Sequence, residues 1–81
     1  KGVAWQTKKD NKNVSYIIVE TDLNIKIGHK SLERCIKIME KLENSVGVKY
    51  LYYAPNIGCV KITTASSENS DKEYTSVQKI F

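Results

Sequence analysis

The alternation of apolar and polar residues predicts a β-hairpin at the start of the chain. Residues 2–7 alternate loosely, as is typical of a short edge strand. Residues 8–13 contain no apolar side chain, and they predict a polar turn. Residues 14–20 are apolar on both faces, as a central strand should be. The three segments together predict two paired strands.

A second hairpin is predicted further along the chain. Residues 48–54 are rich in Tyr and other β-forming residues, and they stop at Pro55. Residues 55–58 have the composition of a turn. Residues 59–64 alternate between apolar and polar side chains, which predicts the returning strand.

Between the two hairpins, the pattern changes to the spacing of one face of an α-helix. Ser31 can cap the start of this helix, and Gly47 lies where a residue that ends a helix is common. We therefore predict a helix over residues 31–45, preceded by a connection over residues 21–30. The apolar positions on its predicted face are Leu32, Cys35, Ile36, Met39, Leu42 and Val46.

The end of the chain is compatible with two predictions. Residues 70–73 match a helix capping box, and Tyr74, Val77 and Phe81 recur at helical spacing. A helix over residues 71–81 is the favoured prediction. A strand is the alternative, because the segment also contains β-branched residues.

These elements predict an α+β fold, in the order ββαββ and then a second helix, with the main helix packed on one face of a small antiparallel sheet. With a helical tail the order resembles a ferredoxin-like sandwich. With a tail strand it resembles a β-grasp fold. We expect residues 1–81 to form a single compact domain, and the first residue, Lys1, suggests a piece of a larger protein.

The net charge and the residue types that carry it disfavour some classes of binding partner. Thirteen basic and nine acidic residues give the 81-residue chain a net charge of +4, which is only mildly basic. Arg34 is the sole arginine, and this counts against sequence-specific recognition of nucleic acid. The longest apolar run, residues 16–19, is far shorter than the roughly 20 residues of a membrane span. We therefore expect no membrane partner.

Few residues are available for catalysis or metal binding. Two cysteines, Cys35 and Cys59, and one histidine, His29, are too few for a structural zinc site. We expect no enzyme activity, no metal and no cofactor. Two reduced thiols would suit an intracellular protein. A disulfide in a secreted fragment is the alternative, and residues 13–15 match a glycosylation sequon.

The candidate site is the face of the sheet that the predicted helix leaves uncovered. An exposed face rich in Tyr and aliphatic residues is typical of a protein interface, with another protein or a second copy as partner. The tail could instead cover this face, or the tyrosines could stack on RNA or single-stranded DNA. Lys8, Lys9 and Lys12 are a possible anion or nucleic-acid contact. The predicted partner-binding residues are Tyr16, Ile18, Leu51, Tyr53 and Lys61.

Overall fold

In the computed structural model, which describes residues 2–79, the chain is a single antiparallel sheet of six strands that follow one another in chain order. The described residues contain no helix, and hence no helix that could span a membrane. The predicted α+β class, whether ferredoxin-like or β-grasp-like, is therefore wrong. The strands are β1 (Ala4–Lys9), β2 (Lys12–Ile27), β3 (Lys30–Leu42), β4 (Val48–Ala54), β5 (Gly58–Ala65) and β6 (Tyr74–Gln78).

The first hairpin forms where it is predicted, but with a much tighter turn. Asp10 and Asn11 have φ angles of 52° and 65°. Two-residue hairpin turns of type I′ need a positive φ at both central residues, and Asp and Asn tolerate it better than most residues. Strand β2 then continues through the predicted connection as far as Ile27.

The predicted helix over residues 31–45 is strand β3 and the start of the following loop. Its helical spacing has two causes. An extra residue in β3 opposite the step from Leu23 to Ile25 forms a β-bulge, so that Leu32 and Cys35 both lie in the buried core although they are three residues apart. Beyond the bulge, β3 is apolar on both faces, as a strand paired on both sides can be.

The sheet makes its own core by bending. Strand β4 pairs with β3 only over residues 36–40 of β3, so the far half of the β2–β3 hairpin extends past it. Register shifts between Ile18 and Ile25 curve this half, because bulges bend strands. The curved half packs against β4 and β5 on one side of the sheet, and we call this side the inner face. The buried cluster there comprises Ile27, Leu32, Cys35, Val48, Tyr50, Tyr52, Ala54, Val60 and Ala65.

The tail is a strand over its described part. Residues 74–78 form β6 and pair with β5, so the favoured helix over residues 71–81 is wrong there, while Phe81 lies outside the described residues. The Ser70 hydroxyl accepts a hydrogen bond from the Lys72 amide at 3.2 Å, which forms a local turn. Glu73 does not close a capping box, because its side chain reaches across the inner face.

Two leucines of β3 provide a test of this fold. Leu32 is 7% exposed in the core, whereas Leu42 is 39% exposed. We expect Leu32→Ala to lower the free energy of unfolding by about 2–5 kcal/mol, because it leaves a cavity. Leu42→Ala should cost less than about 1 kcal/mol. Urea unfolding of both variants measures the difference, and equal losses would contradict the strand.

Candidate functional site

The face opposite the inner face carries a continuous row of aliphatic side chains. Residues directly opposite one another in an antiparallel sheet point to the same side. The register places Ile38 between Ile18 and Leu51, then continues through Ile62 to Val77 on β6. We call Ile18, Ile38, Leu51, Ile62 and Val77 the aliphatic row, and the surface that contains it the open face.

Aromatic side chains lie on both sides of the aliphatic row. Trp5 and Tyr16 are cross-strand partners whose rings stack, with centroids 5.4 Å apart and planes inclined by 13°. On the other side of the row, Tyr53 lies between Ile36 and Cys59. Tyr and Trp are enriched in protein interfaces because they combine a large apolar area with a polar group.

Two segments of the chain fold over the sheet, and both lie against the inner face, so they leave the open face uncovered. The curved half of the β2–β3 hairpin packs there, and the loop before β6 is held there by Glu68 and Glu73. On the open face, Trp5 remains 42% exposed and Val77 56% exposed. Ile38 is only 7% exposed, although it is in the same row. The adjacent side chains shield it, so the open face is packed at its centre and exposed at its edges.

The open face has little net charge beside the aliphatic row. Glu40 and Lys49 are direct cross-strand partners there. The pKa of Tyr16 is raised mainly by a hydrogen bond with Glu40 and, to a lesser extent, by burial. The pKa of Tyr53 is raised mainly by burial and, to a lesser extent, by the nearby Cys59 and Glu40. Both phenols are therefore neutral at physiological pH, and the opposite charges of Glu40 and Lys49 balance.

Four of the five predicted partner-binding residues share this face. Ile18 and Leu51 belong to the aliphatic row, and Tyr16 and Tyr53 are each two residues from one of them along the same strand, so all four lie on this face. Lys61 is instead the partner of Tyr52 on the inner face, with its ammonium 5.1 Å from the centre of that ring.

The difference at Lys61 has a local cause. A register shift between Tyr52 and Tyr53 changes which residues of β5 face each side. The partner-binding residues predicted from the sequence did not include Ile38 or Ile62, and Ile38 was placed in the predicted helix. The apolar run on both sides of Lys37 was the available signal for a strand buried on two faces.

The three lysines of the first turn are divided between the two sides of the hairpin. Lys9 and Lys12 are direct partners, and alternation puts them on the side of Trp5 and Tyr16. Lys8 is the partner of Asn13 and points to the other side. The predicted anion contact is therefore not one continuous patch.

Polar groups converge on the inner face around Glu73. Its carboxylate accepts hydrogen bonds from the Lys37 ammonium at 2.5 Å, the Tyr52 hydroxyl at 2.5 Å and the Thr63 hydroxyl at 2.6 Å. The same ammonium lies 4.2 Å from the centre of the Tyr50 ring. These contacts join the segment before β6 to three strands, so they fix the tail to the sheet.

The contacts of Glu73 also set its titration. Burial alone would raise its pKa, but the hydrogen bonds from Lys37, Thr63 and Tyr52 outweigh burial and lower it. Burial would lower the pKa of Lys37, and its bonds with Glu73 and Tyr52 raise it instead. Both groups are therefore held in their charged forms.

The cysteines and the histidine lie apart from one another. Cys35 is buried on the inner face, where burial raises the pKa of its thiol, whereas Cys59 is exposed on the open face. Both thiols are free, since the sheet separates them. His29 is in the turn between β2 and β3. Within residues 2–79, no three His, Cys, Asp or Glu side chains form a group that could hold a metal ion.

We expect Glu73→Gln to lower the free energy of unfolding by about 1–3 kcal/mol at neutral pH, because it weakens hydrogen bonds to a charged acceptor. The folded protein depresses the pKa of Glu73, so this stabilisation is present above the ordinary value of about 4.5 and is lost as the pH falls through the folded value. The Gln variant should lose less stability on acidification than the wild type. Urea unfolding at a series of pH values measures both effects.

Glu68→Gln is the matched control for this prediction. Glu68 also pairs with a lysine of β3, Lys41, but at 3.4 Å and with both side chains more exposed. Its replacement should cost less than about 1 kcal/mol. Equal effects of the two substitutions would contradict a specific role for Glu73.

Comparison with protein-family models, curated proteins and solved structures found no match to the chain.

Proposed function

We propose that this protein is a non-enzymatic protein-binding module that docks a partner on its open face. The observation that carries the proposal is the aliphatic row, which crosses five strands and is flanked by Trp5, Tyr16 and Tyr53. Contiguous apolar area of this kind marks interaction surfaces, and its aromatic members are the residue types that contribute most to binding energy.

A second copy of the chain is the partner that suits this face best. Two sheets pack face to face at about 10 Å when the facing side chains are apolar and interdigitate. The open face offers aliphatic side chains for such packing, and Glu40 beside Lys49 makes its charges self-complementary. In a two-fold dimer, each Glu40 can approach the other copy's Lys49.

The polar cluster on the inner face is better explained by stability of the fold than by catalysis. The Glu73 carboxylate already accepts three hydrogen bonds from side chains of the sheet. These bonds also lower the pKa of Glu73, whereas a general base works best with a pKa near the operating pH. The contacts of Glu73 therefore stabilise the fold.

Binding of RNA or single-stranded DNA is the alternative outcome. Bases could stack on Tyr16 or Tyr53, with Lys9 and Lys12 near phosphates. Trp5 already stacks on Tyr16, and Lys8 points away from this side. The geometry therefore favours a protein partner, and salt dependence separates the two.

Sedimentation equilibrium tests the proposal. We expect the wild type to form a dimer that persists at high salt, because apolar packing is not screened. Leu51→Lys should shift the equilibrium to monomer, because it puts a charge at the centre of the aliphatic row. The matched control is Val46→Lys, since Val46 is 84% exposed in the loop after β3. This control should remain dimeric.

Two results would contradict the proposal. One is a monomer at every accessible concentration of wild-type protein, and the other is a dimer that Leu51→Lys leaves intact. A mass shift that needs a mixed-sequence single-stranded oligonucleotide and disappears with added salt would favour the nucleic-acid alternative, because counterion release makes such binding strongly salt-dependent. Thermal unfolding of each variant checks that the fold is kept.

A further inference from the structure

A cavity of about 520 Å³ lies at one end of the sheet, and the cross-strand pair of Glu40 and Lys49 forms part of its wall. The β1–β2 turn and the loop between β3 and β4 contribute to its walls. Its apolar lining is Leu42, which is 39% exposed, above the buried residues Val14, Val48 and Ala65. Cavities of this size and character are typical of small-molecule sites.

Positive charge exceeds negative charge around the cavity. Lys9, Lys12 and Lys49 line it, against the two carboxylates of Asp10 and Glu40. The two ion pairs formed by the described residues use other lysines, so the ammonium groups of these three form none.

The position of two of these lysines is unfavourable without a ligand. Lys9 and Lys12 are directly opposite each other across β1 and β2. Like charges at directly opposite positions destabilise a sheet. The turn between them is tight, with positive φ at both Asp10 and Asn11, so the chain holds this pair together. An anion bound between the two ammonium groups would relieve the repulsion.

We propose that this cavity binds an amphipathic organic carboxylate, such as a short fatty acid. The apolar chain lies on Leu42, and the carboxylate is held by Lys9, Lys12 and Lys49 through charge-assisted hydrogen bonds. This site includes none of the aliphatic row, but it shares Glu40 and Lys49 with the open face, so the experiment reads out ligand binding and oligomeric state separately.

Octanoate is the probe for this site, with octan-1-ol as its uncharged counterpart. We expect octanoate to bind saturably and to shift the backbone amide resonances of Val14, Val48 and Thr64 in heteronuclear NMR spectra. Octan-1-ol should bind about tenfold more weakly, because it lacks the charged head group.

Lys12→Met and Lys8→Met form a matched pair of variants. Each removes one positive charge from the same hairpin, but only Lys12 lines the cavity. Lys12→Met should weaken octanoate binding by about threefold to fivefold, and Lys8→Met should leave it unchanged.

Four results would overturn the proposal. They are no saturable binding of octanoate, equal binding of octan-1-ol, equal effects of the two variants, or shifts centred on the aliphatic row. Sedimentation of the same samples reports the oligomeric state separately. A failure of the carboxylate site is thus distinguishable from a failure of the protein interface.

Discussion

The β-bulges of the β2–β3 hairpin determine the rest of the structure. A sheet without a second layer has to bury one of its own faces, and a flat sheet cannot do this. Here the extra residues in β2 and β3 bend the hairpin, so that Ile27, Leu32 and Cys35 join the cluster that contains Tyr50 and Tyr52. Burial of the inner face and exposure of the open face are thus two results of one bend.

The two faces consequently have different chemistry. The inner face combines the buried cluster with the hydrogen bonds of Glu73, which hold the tail against the sheet. The open face has the aliphatic row, its aromatic neighbours and the opposite charges of Glu40 and Lys49, with Lys9 and Lys12 on the same side at the first turn. Its apolar character is what would be expected of a surface that is covered by a partner when it functions.

The sequence predicts the local features of this chain better than the long-range ones. Strand β4 has the predicted bounds, 48–54, because Tyr-rich alternation ending at Pro55 is a local signal. Alternation likewise groups Tyr16, Ile18, Leu51 and Tyr53 on one side. The bulges add residues that no local pattern marks. The bulge in β3 contributed to the false helix prediction, and the register shift between β4 and β5 put Lys61 on the side opposite to the predicted one. The role of Glu73 depends on strands far away in sequence.

Methyl NMR with a neutral soluble paramagnetic chelate tests most directly whether the open face is free in the monomer and covered by a second copy. In dilute samples, we expect strong relaxation of the methyl groups of Ile18, Leu51 and Ile62 and weak relaxation of those of Ile27 and Val60. In concentrated samples, the first group should become protected, while the second stays protected throughout. Protection of the first group at every dilution, or its full relaxation at every concentration, would contradict the account.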